Sequence, residues 1–172
     1  MDSSKKKKIG EWILCLVIAF VLAIVINKFL LYKVYIPSAS MVPTLNKGDN
    51  LFVTRVYNPE NLERGDIVVF YSDELKEILI KRLIGLPGDK IKIQNGVVNV
   101  NGEDLKEDYV VNNDTDYYGT FEVPEGKYFF LGDNRAISKD SRYWVNPYVD
   151  KEDIQAEARL KVWPINDFGF VK

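Results

Sequence analysis

The chain has 172 residues, 47% of them apolar, enough for one anchoring helix and a single compact domain but not for two large independent ones. It has no histidine and a single cysteine, which excludes Ser-His-Asp and Cys-His catalysis, His-ligated metal sites, and any disulfide or Cys-x-x-Cys centre within one chain. The formal charge of −2 is unevenly spread: residues 1–32 carry +3, with Lys5, Lys6, Lys7, Lys8 and Lys28 against Asp2 and Glu11, and the acidic remainder argues against nucleic acid as a partner.

Residues 12–26 are uninterruptedly apolar, and Ile9, Gly10 and residues 29–32 extend the run past Glu11, Asn27 and Lys28. About 20 helical residues at roughly 1.5 Å each match a hydrocarbon core of about 30 Å, so 9–32 is expected to be a transmembrane anchor. The basic tail at 1–8 should stay cytoplasmic, which puts 33–172 outside the membrane. A cleaved signal peptide fits less well, because the first small-residue cluster, Ser38-Ala39-Ser40, lies far beyond the apolar run. A buried core helix would need a polar face, which this segment lacks.

After a brief linker at 33–36 the pattern turns to short β-branched and aromatic runs broken by Gly, Pro and Asn. Strands are expected at 51–56, 66–71, 78–84, 90–94, 97–100 and 127–131. Asn95-Gly96 sits between two of them, a two-residue hairpin signal, and Asn101-Gly102 repeats it. Residues 150–157 open with three acidic side chains and read as a short helix. The body is therefore mostly β, with residues 95–126 set apart as a small accessory β subdomain.

Three stretches can carry chemistry. Residues 36–45 place Ser38 and Ser40 between Pro37 and Pro43; in an extended chain the two serines point to one side. Residues 78–84 put Lys81 and Arg82 in the middle of an apolar strand, so strand alternation desolvates at least one cation unless the strand is an edge with its charge turned outward. A serine needs a base, and lysine, which in water titrates at about 10.4, becomes one only when apolar burial lowers that value by roughly 2 to 3. Residues 132–142 gather Asp133, Ser138, Asp140 and Arg142 in one loop, enough for an ion-paired scaffold. A calcium site from Asp133, Asn134 and Asp140 is opposed by Arg135, Lys139 and Arg142.

With these motifs in order after an amino-terminal span, the sequence resembles the bacterial type I signal peptidase (leader peptidase) family of Ser-Lys serine endopeptidases. Residues 38–45 with Gly48-Asp49 look like its nucleophile box, residues 81–89 its lysine box and residues 132–142 its third box. The resemblance implies a signal-peptidase-like β catalytic domain, Ser40 as nucleophile and Lys81 as general base, with Ser138 orienting the lysine. It assigns the oxyanion hole to the Ser40 backbone N–H and the Ser38 hydroxyl, and structural support to Arg82, Asp133, Asp140 and Arg142. It implies cleavage of preprotein signal peptides after small residues of Ala-x-Ala type through an acyl-enzyme, with no metal or cofactor. The expected partners are signal peptides, the lipid bilayer and the protein export machinery, at a single-pass site in the cell membrane. Ala39, Ala136, Ile137 and Val145 depart from residues frequent in the family. Two other readings stay open on the residues alone: a non-catalytic anchored β domain with Lys81 as an edge charge, and a self-cleaving repressor-like protein, though no helix-turn-helix is present.

Overall fold

The computed structural model describes residues 3–171, in two units that divide between Tyr32 and Lys33. The first holds one helix, α1 (Ser3–Phe29). Its described side chains from Trp12 through Ile26 are exposed and apolar on every face. They number fifteen, and among the described residues no helix is long and apolar enough to cross a membrane. The rest of the expected anchor takes in the side chains of Ile9, Asn27, Lys28 and Phe29, which lie outside the described residues, as do those of Lys5, Lys6 and Lys7.

The second unit is built of antiparallel strands: β1 (Leu31–Tyr35, of which the last three residues belong here), β2 (Asn50–Arg55), β3 (Ile67–Ser72), β4 (Glu77–Gly85), β5 (Lys90–Gln94) and β6 (Val97–Val100) come first. They are followed by β7 (Glu103–Asp104), β8 (Tyr118–Glu122), β9 (Lys127–Leu131), β10 (Val149–Asp150), β11 (Ile154–Trp163) and β12 (Gly169–Phe170). One sheet has the order β1-β2-β11-β3-β4-β9-β10 with β12 on β11; the other has the order β7-β6-β5-β8.

The local chemistry explains most of this. In β5 the alternation Lys-Ile-Lys-Ile-Gln buries each isoleucine and exposes each polar side chain, the mark of a sheet with one wet face. Asn95 and Gly96 both take positive φ, 53° and 76°, and close β5 onto β6 with Gln94 opposite Val97. The small sheet therefore begins at Lys90, five residues before the subdomain boundary expected from the sequence.

β4 and β9 bury successive residues without alternation because their apolar side chains enter two cores. Leu83, Tyr128 and Phe130 enter one with Val68 and Phe70, while Ile84, Phe129 and Leu131 enter another with Ile91, Ile93 and Val98. Phe70 stacks on Phe130 with ring centroids 4.3 Å apart.

The expected helix at 150–157 is a correction. Only Lys151–Asp153 forms a turn of 3-10 helix, and Ile154 starts the ten-residue strand β11. Pairing with β2 on one side and β3 on the other, and burial of Ala156 and Ala158, outweigh the helical preference of an acidic start.

Candidate active site

β4 carries Lys81 into the interior. The strand lies between β3 and β9, and Lys81 opposite Val68 is 3% exposed, so it is not an edge charge. Its Nζ lies 2.6 Å from Ser40 Oγ, across 41 residues of sequence, and 3.3 Å from its neighbour's carbonyl, Ile80 O. Neither of these contacts is a carboxylate. Burial pushes its pKa down to about 8, against the smaller opposing pull of Asp140, Glu77 and Asp133.

Ser40 sits on a tight turn between Ile36 and Leu45, both buried, and is itself 9% exposed. Its carbonyl accepts from the Asn134 backbone N–H at 3.0 Å, and Ala39 O accepts from Asn134 Nδ2 at 3.1 Å. Ser38 is exposed, with its Oγ 3.3 Å from Ser40 Oγ. Beside Ser38 a cleft of about 350 Å³ opens, bordered by Ile36, Val69, Ile78 and Leu79 as well as Glu77 and Lys81.

The loop at 132–142 packs against the turn that carries Ser40. At Gly132 an added Cβ would collide with Ser138 Oγ and fall 2.5 Å from Ser40 O, so only glycine lets this backbone pass so close to the turn that carries Ser40. Ser138 is 2% exposed and its hydroxyl has no hydrogen-bond partner among the described residues. The hydrogen bond from Ser138 to the lysine, implied by the resemblance, is thus not formed; the amine's polar neighbours are Ser40 Oγ and Ile80 O.

The four expected support residues form two buried ion pairs. Arg82 Nε and Nη2 donate to Asp133 at 2.9 and 2.7 Å, and its Nη1 donates to Gly65 O at 2.8 Å. Arg142 Nε donates to Asp140 Oδ1 at 2.9 Å, while the Gly132 N–H donates to Asp140 Oδ2 at 3.0 Å. Both carboxylates are fully buried, so each depends on its fork of guanidinium donors. Asp133 and Asp140 are thereby committed to arginine, and among the described residues no carboxylate or cysteine cluster suited to a metal ion occurs.

Sequence reasoning missed several partners. Thr44 Oγ1 donates to Asp133 Oδ2 at 2.5 Å, and Tyr109 lies under the Arg82 guanidinium, 3.8 Å from its ring centroid. Glu107 accepts both terminal nitrogens of Arg135, at 2.6 and 3.0 Å. Thr44 lies inside a recognised stretch without a stated task and Asn134 enters the sequence reading only as a calcium ligand, whereas Glu107 and Tyr109 come from an ordinary polar segment with nothing local to mark them. Of the departures, Ala136, Ile137 and Val145 are exposed, away from this packing.

The family model described as "Signal peptidase, peptidase S26" matches residues 9–163. The chain belongs to that family. It is 39% identical to a probable signal peptidase I-2 of Synechocystis over 99% of this chain and 83% of that one. It is 37% identical to signal peptidase IB of Staphylococcus aureus strain COL, covering 95% of this chain and 94% of the relative. A signal peptidase I of Enterococcus faecalis V583, known from a crystal structure, superposes with a TM-score of 0.51 at 33% identity, covering 56% of this chain and 96% of that one. The mostly β architecture with antiparallel sheets is shared with that structure.

Proposed function

We propose that this chain is a signal peptidase I, a serine endopeptidase that removes signal peptides from exported preproteins after small residues of Ala-x-Ala type. The observation that carries the reading is the 2.6 Å approach of the buried Lys81 amine to the Ser40 hydroxyl. With its pKa near 8, Lys81 is neutral in a usable fraction of molecules around neutral pH and takes the Ser40 proton as Oγ attacks the scissile carbonyl. The Ser38 hydroxyl and the Ser40 backbone N–H stabilise the resulting oxyanion. Lys81 then returns the proton to the leaving amine, and water, deprotonated by the same lysine, hydrolyses the acyl-enzyme.

Ser138 orients the amine as the proton moves; its buried hydroxyl is otherwise unspent. Arg82 with Asp133 and Arg142 with Asp140 hold the strand and loop that carry Lys81 and Ser138. Small residues fit because the cleft beside Ser38 is modest in volume and bordered mostly by apolar side chains, with Glu77 and Lys81 as its charged members. The helical part of the expected anchor, residues 9–29, holds the enzyme as a single span with the amino terminus cytoplasmic and the catalytic unit outside; Leu31 and Tyr32, expected in the anchor, and residues 33–35, expected as a linker, belong to strand β1 instead. The support is an exposed helix of apolar side chains, bounded in sequence by Lys8 on one side and Lys28 on the other. The export machinery is the source of its substrates.

The test uses full-length protein in detergent with a preprotein bearing an Ala-x-Ala site. Ser40→Ala and Lys81→Ala should each lower kcat/KM by about 10³-fold or more, and the parent's kcat/KM should rise with pH through about 8. Cleavage undiminished in both variants would remove the dyad.

A further inference from the structure

Lys161 is the second buried lysine of the unit, and the chemistry above leaves it without a task. It lies on β11, 7% exposed, and its Nζ meets three oxygens: Asp167 Oδ2 at 2.6 Å, Asp49 Oδ2 at 2.9 Å and Thr44 O at 3.1 Å. Burial works against its charge, but the hydrogen bonds and fields of Asp167 and Asp49 outweigh burial and hold its pKa above the ordinary lysine value. It is a fixed cation, unlike Lys81.

Two of the three oxygens belong to the segment that carries Ser40. That segment is tied at its mouth, where the Ile36 N–H donates to Asp49 O and the Gly48 N–H donates to Ile36 O, both at 2.9 Å. Asp49 Oδ2 also accepts the Asn46 N–H at 2.8 Å, closing the turn that ends the segment. Thr44 is gripped from both sides, its carbonyl by Lys161 and its hydroxyl on Asp133, whose carboxylate holds Arg82, the residue next to Lys81. An uncharged residue at 161 would leave Asp49, 3% exposed, without a counter-charge and facing the Thr44 carbonyl oxygen.

We propose that Lys161 is a positioning residue for the nucleophile: its ammonium neutralises Asp49 and holds the Thr44 carbonyl, and so fixes where the segment places the Ser40 hydroxyl relative to the Lys81 amine. This rests on the Ser40–Lys81 reading. Displacements of about 1 Å in a reacting group can lower a rate by about 10²-fold, so the effect belongs in kcat rather than in substrate binding. Asp167, half exposed on the turn after β11, helps to hold the ammonium in place from the solvent side.

The experiment measures kcat and KM for an Ala-x-Ala preprotein in the full-length parent, Lys161→Met and Lys161→Arg, together with amide hydrogen exchange. Expected for Lys161→Met is a kcat lower by about 10- to 100-fold with KM within about twofold. Protection should be lost at the Asn46, Gly48 and Asp49 amides and retained in β5 and β6, and Lys161→Arg should recover most of the rate. The proposal is overturned if Lys161→Met keeps the parent's kcat, or if its exchange loosens equally in the small sheet, the sign of general destabilisation. A parent chain that does not cleave at all removes the dyad reading first, and the task given to Lys161 with it.

Discussion

Two lysines lie buried in the same unit, Lys81 on β4 and Lys161 on β11, and they are driven in opposite directions. Around Lys81 the contacts are a hydroxyl and a backbone carbonyl, so desolvation wins and the amine's pKa falls to about 8. Around Lys161 two carboxylates touch the ammonium, so the same burial yields a permanent cation. Depth alone does not decide what a buried lysine does; the charge of the atoms within hydrogen-bond reach does. Of the three carboxylates that oppose the lowering of Lys81, Asp140 and Asp133 are each held by an arginine, and the third, Glu77, lies exposed at the start of β4.

That contrast can be broken in graded ways. The largest effect is expected from freeing Arg82: Asp133→Asn removes its counter-charge and should destabilise the unit by about 3 to 5 kcal/mol, read from urea unfolding followed by tryptophan fluorescence. A loss below about 1 kcal/mol would mean that the pair contributes little to the scaffold. Next, giving Lys81 a carboxylate of its own should make it resemble Lys161. Leu79 borders the same cleft two residues along β4, and Leu79→Asp should move the rise of kcat/KM to higher pH by about one pH unit, because a favoured ammonium surrenders its proton later. A profile that stays put would show that the amine is not sensitive to charge at that distance. The smallest effect is expected on the small sheet, where the exposed Val97→Thr should change stability by less than about 0.5 kcal/mol and leave kcat/KM unaltered.

The sequence made Lys81 legible because its setting is local: two cations inside an apolar run, with Ser40 in a proline-bracketed turn and no histidine to serve as base. The hairpin at Asn95-Gly96 was legible for the same reason, since positive φ at both positions is written in the residue types. Lys161 was not, because its neighbours Thr44 and Asp49 lie more than a hundred residues earlier and nothing in its own strand separates it from an ordinary exposed lysine. β11 itself was hidden by the acidic turn before it, and only the pairing with β2 and β3 reveals the strand. Where a residue's role is set by distant oxygens, pattern reading has no purchase.

The close passage at Gly132 has a consequence for how this enzyme could change its substrates. The turn that carries Ser40 and the loop behind it are so close at Gly132 that no larger residue fits between them. The cleft beside Ser38 is bordered by other side chains, Val69, Ile78 and Leu79 among them, which lie outside that contact. Drift in cleavage preference among descendants of this chain is therefore channelled to the side chains that border the cleft, while the Gly132 contact stays frozen.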